Sequence, residues 1–304
     1  MTHPVQGLVP ILATPFLPDG GLDLPSLRRL TQFQLASGVD GVAVFGMASE
    51  GFALTATERA RILIEVMRVT AGAVPVVAGV NGTSTVTAVE QAREAEEGGA
   101  AVLMVLPPFM VKPSGAQLVD FYGDLTAAVG GHVMVQDAPG VTGVAMPTSL
   151  VVELSKLEGV TSVKVEAPPT APKIGAVVEA VADEQFAVLG GQNAQFCLDE
   201  YARGAVGTMP ACEFSDLLAP LLADWGQGRQ AEARVGFARL LPLVLSGLQP
   251  GIAWAVHKEV LVQRGIIEHA TVRSPAAPLD AGSRRELALL LDDLGLPSAP
   301  LGRG

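Results

Sequence analysis

Lys164 stands out among the residues of this 304-residue chain that could do chemistry. It lies in the segment Val160-Thr-Ser-Val-Lys-Val-Glu166, with a valine on either side. Ammonium groups are almost never fully buried without a partner, so a lysine in such an apolar strand needs an explanation. Burial favours the neutral amine, which attacks a ketone to form a Schiff base. A structural salt bridge to Glu166 explains the same pattern, and the sequence leaves both interpretations open.

The other four of the five lysines are less suited to this chemistry. Lys112 follows a loop at Pro107-Pro108. The remaining three lie in helical patterns, where a solvated amine is expected: Lys156, Lys173 and Lys258.

Two polar side chains could assist Lys164. Glu166 lies two residues further along and therefore projects from the same face of the strand, where it could exchange protons with a substrate. A rim carboxylate paired with Lys173 or with water is the alternative. Gln136 ends another apolar segment and could hydrogen-bond a substrate hydroxyl, or it could be a satisfied polar residue without a role.

Other kinds of site are not indicated. His132 and His257 lie in no recognised metal-ligand spacing, and Cys197 and Cys212 form no CxxC pair, so we expect no metal and no cofactor. The net charge of −11 and the pI near 4.8 provide no basic stripe for a nucleic acid or an anionic membrane. The expected partner is a small molecule.

The elements that must position these residues follow a regular alternation. Between the apolar, β-branched segments, helical patterns repeat apolar residues at three- and four-residue spacing. Such βα units favour a parallel sheet covered by helices, and eight of them most economically close into a (β/α)₈ TIM barrel. The eight predicted strands are Leu8–Ala13, Gly41–Phe45, Val74–Ala78, Ala101–Leu106, Val133–Val135, Val160–Val165, Phe186–Leu189 and Ala205–Met209.

After the eighth strand only helical patterns remain, from Phe214 to Leu294. We therefore predict a barrel over residues 1–225 and a C-terminal helical extension over 226–304, ending in a frayed tail at 297–304. No apolar run reaches the ~18 residues of a membrane span, and Met1–Gly7 has no basic flank before an apolar core. A cytoplasmic protein is expected. Active sites of such barrels lie at the carboxyl ends of the strands, where Lys164 is predicted.

Ordered motifs add a resemblance to a known family, that of dihydrodipicolinate synthase and N-acetylneuraminate lyase. The resemblance covers residues 7 to about 225. It is carried by Ala13-Thr-Pro-Phe16, Gly46-Met-Ala-Ser-Glu50, Leu54-Thr-Ala-Thr-Glu-Arg59, Val76-Val-Ala-Gly79, Pro108 with Lys112-Pro113, Asp137-Ala-Pro-Gly140 with Thr142-Gly143, and Lys164.

The resemblance implies a TIM barrel with a helical C-terminal domain, a homodimer or homotetramer, and an imine between Lys164 and pyruvate or another 2-keto acid. It also implies that Met47-Ala48-Ser49 holds the substrate carboxylate through backbone N–H groups and a hydroxyl. Ser49 could instead simply cap the following helix. Gly191, after the seventh strand, would let substrate approach the backbone, although a plain turn explains it equally well.

Departures from the family pattern narrow the activity. The synthase relays protons through two tyrosines and a threonine, and these positions correspond to Gln136, Met110 and Met47, none of which can relay a proton. An arginine that grips the second substrate of the synthase corresponds to Val141. The turn Gln136-Asp-Ala-Pro139, the segment Lys164-Val-Glu166 and the pair Ser49-Glu50 together resemble more closely the branch that contains L-2-keto-3-deoxyarabonate dehydratase.

These observations predict a lyase that forms a Schiff base with a 2-keto-3-deoxy sugar acid and removes water from it. A pyruvate-dependent aldolase or a condensing enzyme like the synthase would use the same imine. A non-catalytic 2-keto acid sensor is the alternative of another class, because a fold can persist after its proton relay is lost.

Overall fold

A computed structural model describes residues 5–181 and 185–296. Its centre is a sheet of eight parallel strands in the order β1-β8-β7-β6-β5-β4-β3-β2. The predicted (β/α)₈ barrel followed by helices is confirmed, while the domain boundary after residue 225 stays a prediction. The strands are β1 (Gly7–Leu8), β2 (Val42–Val44), β3 (Val76–Val80), β4 (Val102–Val105), β5 (His132–Asp137), β6 (Val160–Val165), β7 (Ala187–Gly190) and β8 (Gly207–Thr208).

The barrel closes between β2 and the segment that follows β1. Ala43 donates its N–H to the carbonyl of Pro10 at 2.9 Å, and Leu12 donates to the carbonyl of Ala43 at 2.8 Å. β1 and β8 are shorter than the predicted strands. Pro10 and Pro210 follow them and have no N–H to continue the ladder, which accounts for the early ends.

Helices cover the outside of the barrel. Thr55 and Glu58 form a capping box at the start of α2, with Glu58 N–H donating to Thr55 Oγ1 at 3.3 Å. The helices are α1 (Leu24–Ala36), α2 (Ala56–Thr70), α3 (Thr85–Glu97), α4 (Gly115–Ala128), α5 (Pro139–Thr142), α6 (Thr148–Leu154), α7 (Thr170–Ala180), α8 (Cys197–Tyr201), α9 (Ser215–Gly226), α10 (Gln230–Ser246), α11 (Ala253–Gln263) and α12 (Ala281–Asp293).

Local structure differs from the sequence pattern in two places. Apolar residues repeat at helical spacing over Ala194–Arg203, which predicts a helix there, but the helix is confined to α8 because Gln192, Asn193 and Ala194 adopt left-handed φ angles of 46°, 55° and 61°. The short helix α5 was not anticipated, since it spans only the four residues before Gly143. The predicted tail at 297–304 lies outside the described residues.

Successive side chains of each strand point to opposite faces of the sheet, and each face has its own apolar core. One face of each strand packs under the helices, and the other fills the barrel with a compact apolar cluster that includes Val9, Ile11, Met104, Met134 and Leu189. The side chains two and four residues further along these strands therefore project into the mouth of the barrel. No helix of the described ranges is long and apolar enough to cross a bilayer.

Candidate active site

Lys164 and Glu166 lie together at the mouth of the barrel. Lys164 Nζ is 3.2 Å from Glu166 Oε1, and the two side chains are 4% and 16% exposed. The two-residue spacing on β6 places them on one face, as the sequence predicts. The ion pair satisfies the structural interpretation of Lys164, and the same contact places a proton acceptor beside the amine, as the catalytic interpretation requires.

Three donors fix the Glu166 carboxylate. Gln136 Nε2 donates to Oε2 at 2.7 Å, the backbone N–H of Gln192 donates to Oε1 at 3.2 Å, and Lys164 contacts Oε1 as well. Burial acts to raise the pKa of Glu166, but the charge of Lys164 and the hydrogen bonds from Gln136 and Gln192 outweigh it. The pKa of Glu166 therefore lies below its ordinary value, and the resting carboxylate is ionised.

The Glu166 side chain occupies the space that a side chain at position 191 would fill. A Cβ on Gly191 would lie 2.4 Å from Glu166 Cγ and 2.7 Å from Cδ, so only glycine is compatible with this position of the carboxylate. The space beside Gly191 is thus filled by the Glu166 side chain. Gln136, Lys164, Glu166 and Gly191, which the sequence singles out separately, meet in one cluster.

The turn after β7 is strained. Left-handed backbone at a non-glycine residue costs about 1–3 kcal/mol and persists only where neighbouring groups determine it. Here Gln192, Asn193 and Ala194 are all left-handed. Asn193 ties the turn down, because its Nδ2 donates to Val244 O and its Oδ1 accepts from Ala211 N–H, both at 2.9 Å. The result is that the Gln192 N–H faces Glu166.

The predicted carboxylate-binding residues form a short 3₁₀ helix, Met47–Ser49, directly after β2. Ser49 donates its N–H to Gly46 O at 3.1 Å, and Thr14 Oγ1 donates to Ser49 O at 2.7 Å. The hydroxyl of Ser49 is buried and has no hydrogen-bond partner among the described residues. A buried hydroxyl without a partner is costly, so this group is available to a ligand.

Backbone strain and close packing also surround this turn. Phe45 before it and Glu50 after it have φ angles of 63° and 53°. A Cβ on Gly79 would lie 2.5 Å from the carbonyl oxygen of Phe45, and Ala48 packs against the apolar cluster inside the barrel. Met47, in this turn, and Gln136, which bonds Glu166, line one small cavity.

Two other lysines, Lys173 and Lys112, have partners outside the Glu166 cluster. Lys173 forms an ion pair with buried Asp137 and donates to Met146 O at 2.6 Å, so it is not the partner of Glu166. Burial raises the pKa of Asp137 despite the hydrogen bond from Lys173. Lys112 Nζ donates to the carbonyls of Phe109, at 2.9 Å, and Thr142. Within residues 5–181 and 185–296, no group of three or more His, Cys, Asp or Glu could hold a metal ion.

Sequence reasoning missed contributions from the C-terminal helices. The prediction of a solvated amine is wrong for Lys258, which is fully buried in an ion pair with Glu50. Trp254 Nε1 donates to Met47 O at 2.7 Å across 207 positions of sequence. No local pattern signals such contacts, because each depends on how α11 docks on the barrel.

Comparisons with known proteins identify the family. The sequence profile of the Dihydrodipicolinate synthetase family matches residues 4–294. L-2-keto-3-deoxyarabonate dehydratase from Azospirillum brasilense is 30% identical over 287 residues, covering 93% of this chain and 92% of that protein. 4-hydroxy-tetrahydrodipicolinate synthase from Saccharophagus degradans is 29% identical over 283 residues, covering 91% and 94%.

Solved structures show the same fold. Dihydrodipicolinate synthase from Rhodopseudomonas palustris superposes with a TM-score of 0.90 at 27% identity, covering 96% of this chain and 99% of that one. YagE, a prophage protein of the dihydrodipicolinic acid synthase family from E. coli K12 solved with pyruvate, has a TM-score of 0.87 at 26% identity and the same coverage. The chain therefore belongs to the dihydrodipicolinate synthetase family.

Proposed function

We propose that this protein is a cytoplasmic, homodimeric or homotetrameric lyase that forms an imine between Lys164 and a 2-keto-3-deoxy sugar acid and then removes water. The observation that carries the proposal is the 3.2 Å contact between the Lys164 amine and the Glu166 carboxylate at the barrel mouth. The dehydratase relative and the pyruvate complex of YagE support the substrate class.

The reaction follows from these two side chains. The Lys164 amine adds to the C2 carbonyl and expels water, and the protonated imine draws electrons from C3. Glu166 accepts the C3 proton, which leaves a neutral enamine. The enamine expels the C4 hydroxyl, which takes the proton from Glu166 and departs as water. A second water hydrolyses the resulting unsaturated imine and frees Lys164.

Charge around the mouth supports a substrate with one carboxylate and a neutral tail. Among the described residues, Lys112 is occupied by two carbonyls and Lys258 by Glu50, and Val141 is 57% exposed and apolar. Lys258 and Val141 therefore offer no free cation to a second carboxylate, and two of the three donors of Lys112 are already used. Ser49 and the backbone at Ala48 would hold the single carboxylate, and Gln136 can hydrogen-bond a hydroxyl of the tail.

A carbon–carbon lyase or condensing enzyme is the second candidate, favoured by the synthase relative. It would use the same imine, but the base would remove the proton of the C4 hydroxyl instead of the C3 proton. The C3–C4 bond would then break and release pyruvate.

Borohydride trapping with pyruvate, followed by intact mass and peptide mapping, tests the imine. We expect one adduct on Lys164 in the wild type, the same adduct in Lys173→Arg, and none in Lys164→Arg. Incubation with 2-keto-3-deoxy sugar acids then separates water loss from pyruvate release. An adduct on another lysine, or no adduct at all, would contradict the proposal and favour a binding protein.

A further inference from the structure

The turn Met47–Ser49 is held in place by the C-terminal helices. Trp254, on α11, donates its indole N–H to Met47 O at 2.7 Å. The ring of Trp254 also packs edge-on against Phe52, with centroids 5.2 Å apart and planes at 71°. Trp254 thus contacts the loop after β2 through both its polar and its apolar parts.

A buried ion pair fixes the far end of the same turn. Glu50 Oε1 pairs with Lys258, also on α11, and Glu50 Oε2 accepts the backbone N–H of Arg273 at 2.9 Å. The side chains of Glu50 and Lys258 are both 0% exposed. The turn is therefore anchored at its first carbonyl and at the residue that follows it, both times by the helical extension.

The hydrogen bond to Met47 has a geometric consequence for Ala48. In a trans peptide the C=O and the following N–H point in opposite directions. Since the Met47 carbonyl points toward Trp254, the N–H of Ala48 points away from α11. The Met47 carbonyl also accepts the N–H of Glu50, at 3.0 Å, so two donors hold it. Without the indole, only this bond within the turn orients the peptide between Met47 and Ala48.

We propose that Trp254 is a positioning residue for the substrate carboxylate. Its hydrogen bond to Met47 fixes the direction of the Ala48 N–H together with the bond from Glu50, so the helical extension completes the 2-keto acid site of the barrel. This inference rests on the proposed function. It places the effect on the carboxylate shared by all 2-keto acids and not on the sugar tail or on the Lys164 amine.

The test compares Trp254→Phe with Trp225→Phe. Phenylalanine at 254 keeps a ring for Phe52 but has no donor, while Trp225 lies on α9 under Arg234 and serves as the matched control. For each protein we would measure the pyruvate concentration that half-saturates borohydride trapping on Lys164, the trapping rate with acetone, which has no carboxylate, and the melting temperature.

Trp254→Phe should raise the half-saturating pyruvate concentration about five- to tenfold, the equivalent of one hydrogen bond. Its trapping at saturation and its acetone rate should match those of Trp225→Phe and the wild type. Trp254→His, which keeps an N–H donor, should recover part of the pyruvate affinity and guards against a folding defect of the phenylalanine variant.

Two results would overturn the inference while leaving the proposed function intact. One is an unchanged half-saturation in Trp254→Phe, and the other is an equal loss of pyruvate and acetone trapping, which would show general damage. Absence of a Lys164 adduct in the wild type would instead overturn the proposed function itself, and this inference with it.

Discussion

Gly191→Ala and Gly190→Ala form a matched pair of perturbations, because they add one methyl group to neighbouring residues, the last of β7 and the one after it, on opposite sides of the backbone. At Gly191 the new carbon would meet Glu166 Cγ at 2.4 Å. At Gly190 it would meet Glu200 Oε2 at 1.9 Å and Cδ at 2.8 Å, behind the strand. One variant displaces the proposed catalytic carboxylate, and the other displaces a carboxylate outside the barrel.

The size of each effect follows from these distances. Carbon atoms in ordinary contact lie about 3.5–4 Å apart, so Glu166 must move by roughly 1 Å. That displacement breaks its 2.7 Å hydrogen bond to Gln136 and its 3.2 Å contact with Lys164. Misplacing a reacting group by about 1 Å costs on the order of 100-fold in rate. Both variants should lose about 1–3 kcal/mol of stability through overpacking.

Exchange of the pyruvate methyl protons in D₂O, followed by proton NMR, measures imine formation and C3 proton removal without knowledge of the natural substrate. Gly191→Ala should slow this exchange about 100-fold, and Gly190→Ala should leave it within about threefold of the wild type. Thermal melting checks that both variants are folded. Exchange at the wild-type rate in Gly191→Ala, or equal slowing in both variants, would refute the role of Glu166.

Two pH dependences follow from buried carboxylates. Burial raises the pKa of Glu200 from 4.5 to about 7. Between these two pH values the folded chain therefore binds more protons than the unfolded chain, and the free energy of unfolding falls as the pH rises. Glu200→Gln should therefore be more stable than the wild type by up to about 3 kcal/mol above pH 7, and the gain should vanish toward pH 4.5. Urea unfolding at pH 5 and pH 8 checks this; an equal difference at both would contradict it. Hydrogen bonds from Arg273 lower the pKa of Glu58 to about 2, so the stability they provide is present above pH 4.5 and is lost as pH falls toward 2. Glu58→Gln should lose about 2 kcal/mol at pH 7 and little near pH 2, as acid titration of the unfolding midpoint would show.

The fold could be predicted because its determinants are local. Continuous β-branched segments such as Val160–Val165 favour parallel strands, and the intervening helices begin at caps visible in the sequence, such as Thr55. The ends of elements were less predictable. The left-handed turn at Asn193 depends on Val244 and Ala211, which lie 51 and 18 positions away, so a helical pattern over this segment was misleading.

In the candidate site, too, the local features were predictable and the long-range contacts were not. A period of two is enough to place Lys164 and Glu166 on one face, and the motif resemblance is enough to draw attention to Ser49 and Gln136. Sequence reasoning could not identify the residues of the C-terminal extension that contact this part of the barrel. The hydrogen bond from Trp254 to Met47 and the ion pair of Lys258 span more than two hundred positions, because Glu50 and Met47 belong to the barrel and α11 to the extension.

The charge of Lys164 gives a physical reason why one carboxylate can serve both proton transfers. In the resting protein burial acts to raise the pKa of Glu166, and the positive charge of Lys164 is the largest influence that opposes it. A protonated imine on Lys164 keeps that positive charge, so Glu166 remains an ionised base when the C3 proton is removed. The enamine that results is neutral. The opposing attraction is then lost while burial persists, so the pKa of Glu166 rises and its protonated form is held until the C4 hydroxyl accepts the proton. In the proposed reaction, the nitrogen that serves as the electron sink thereby also switches its neighbour from base to acid.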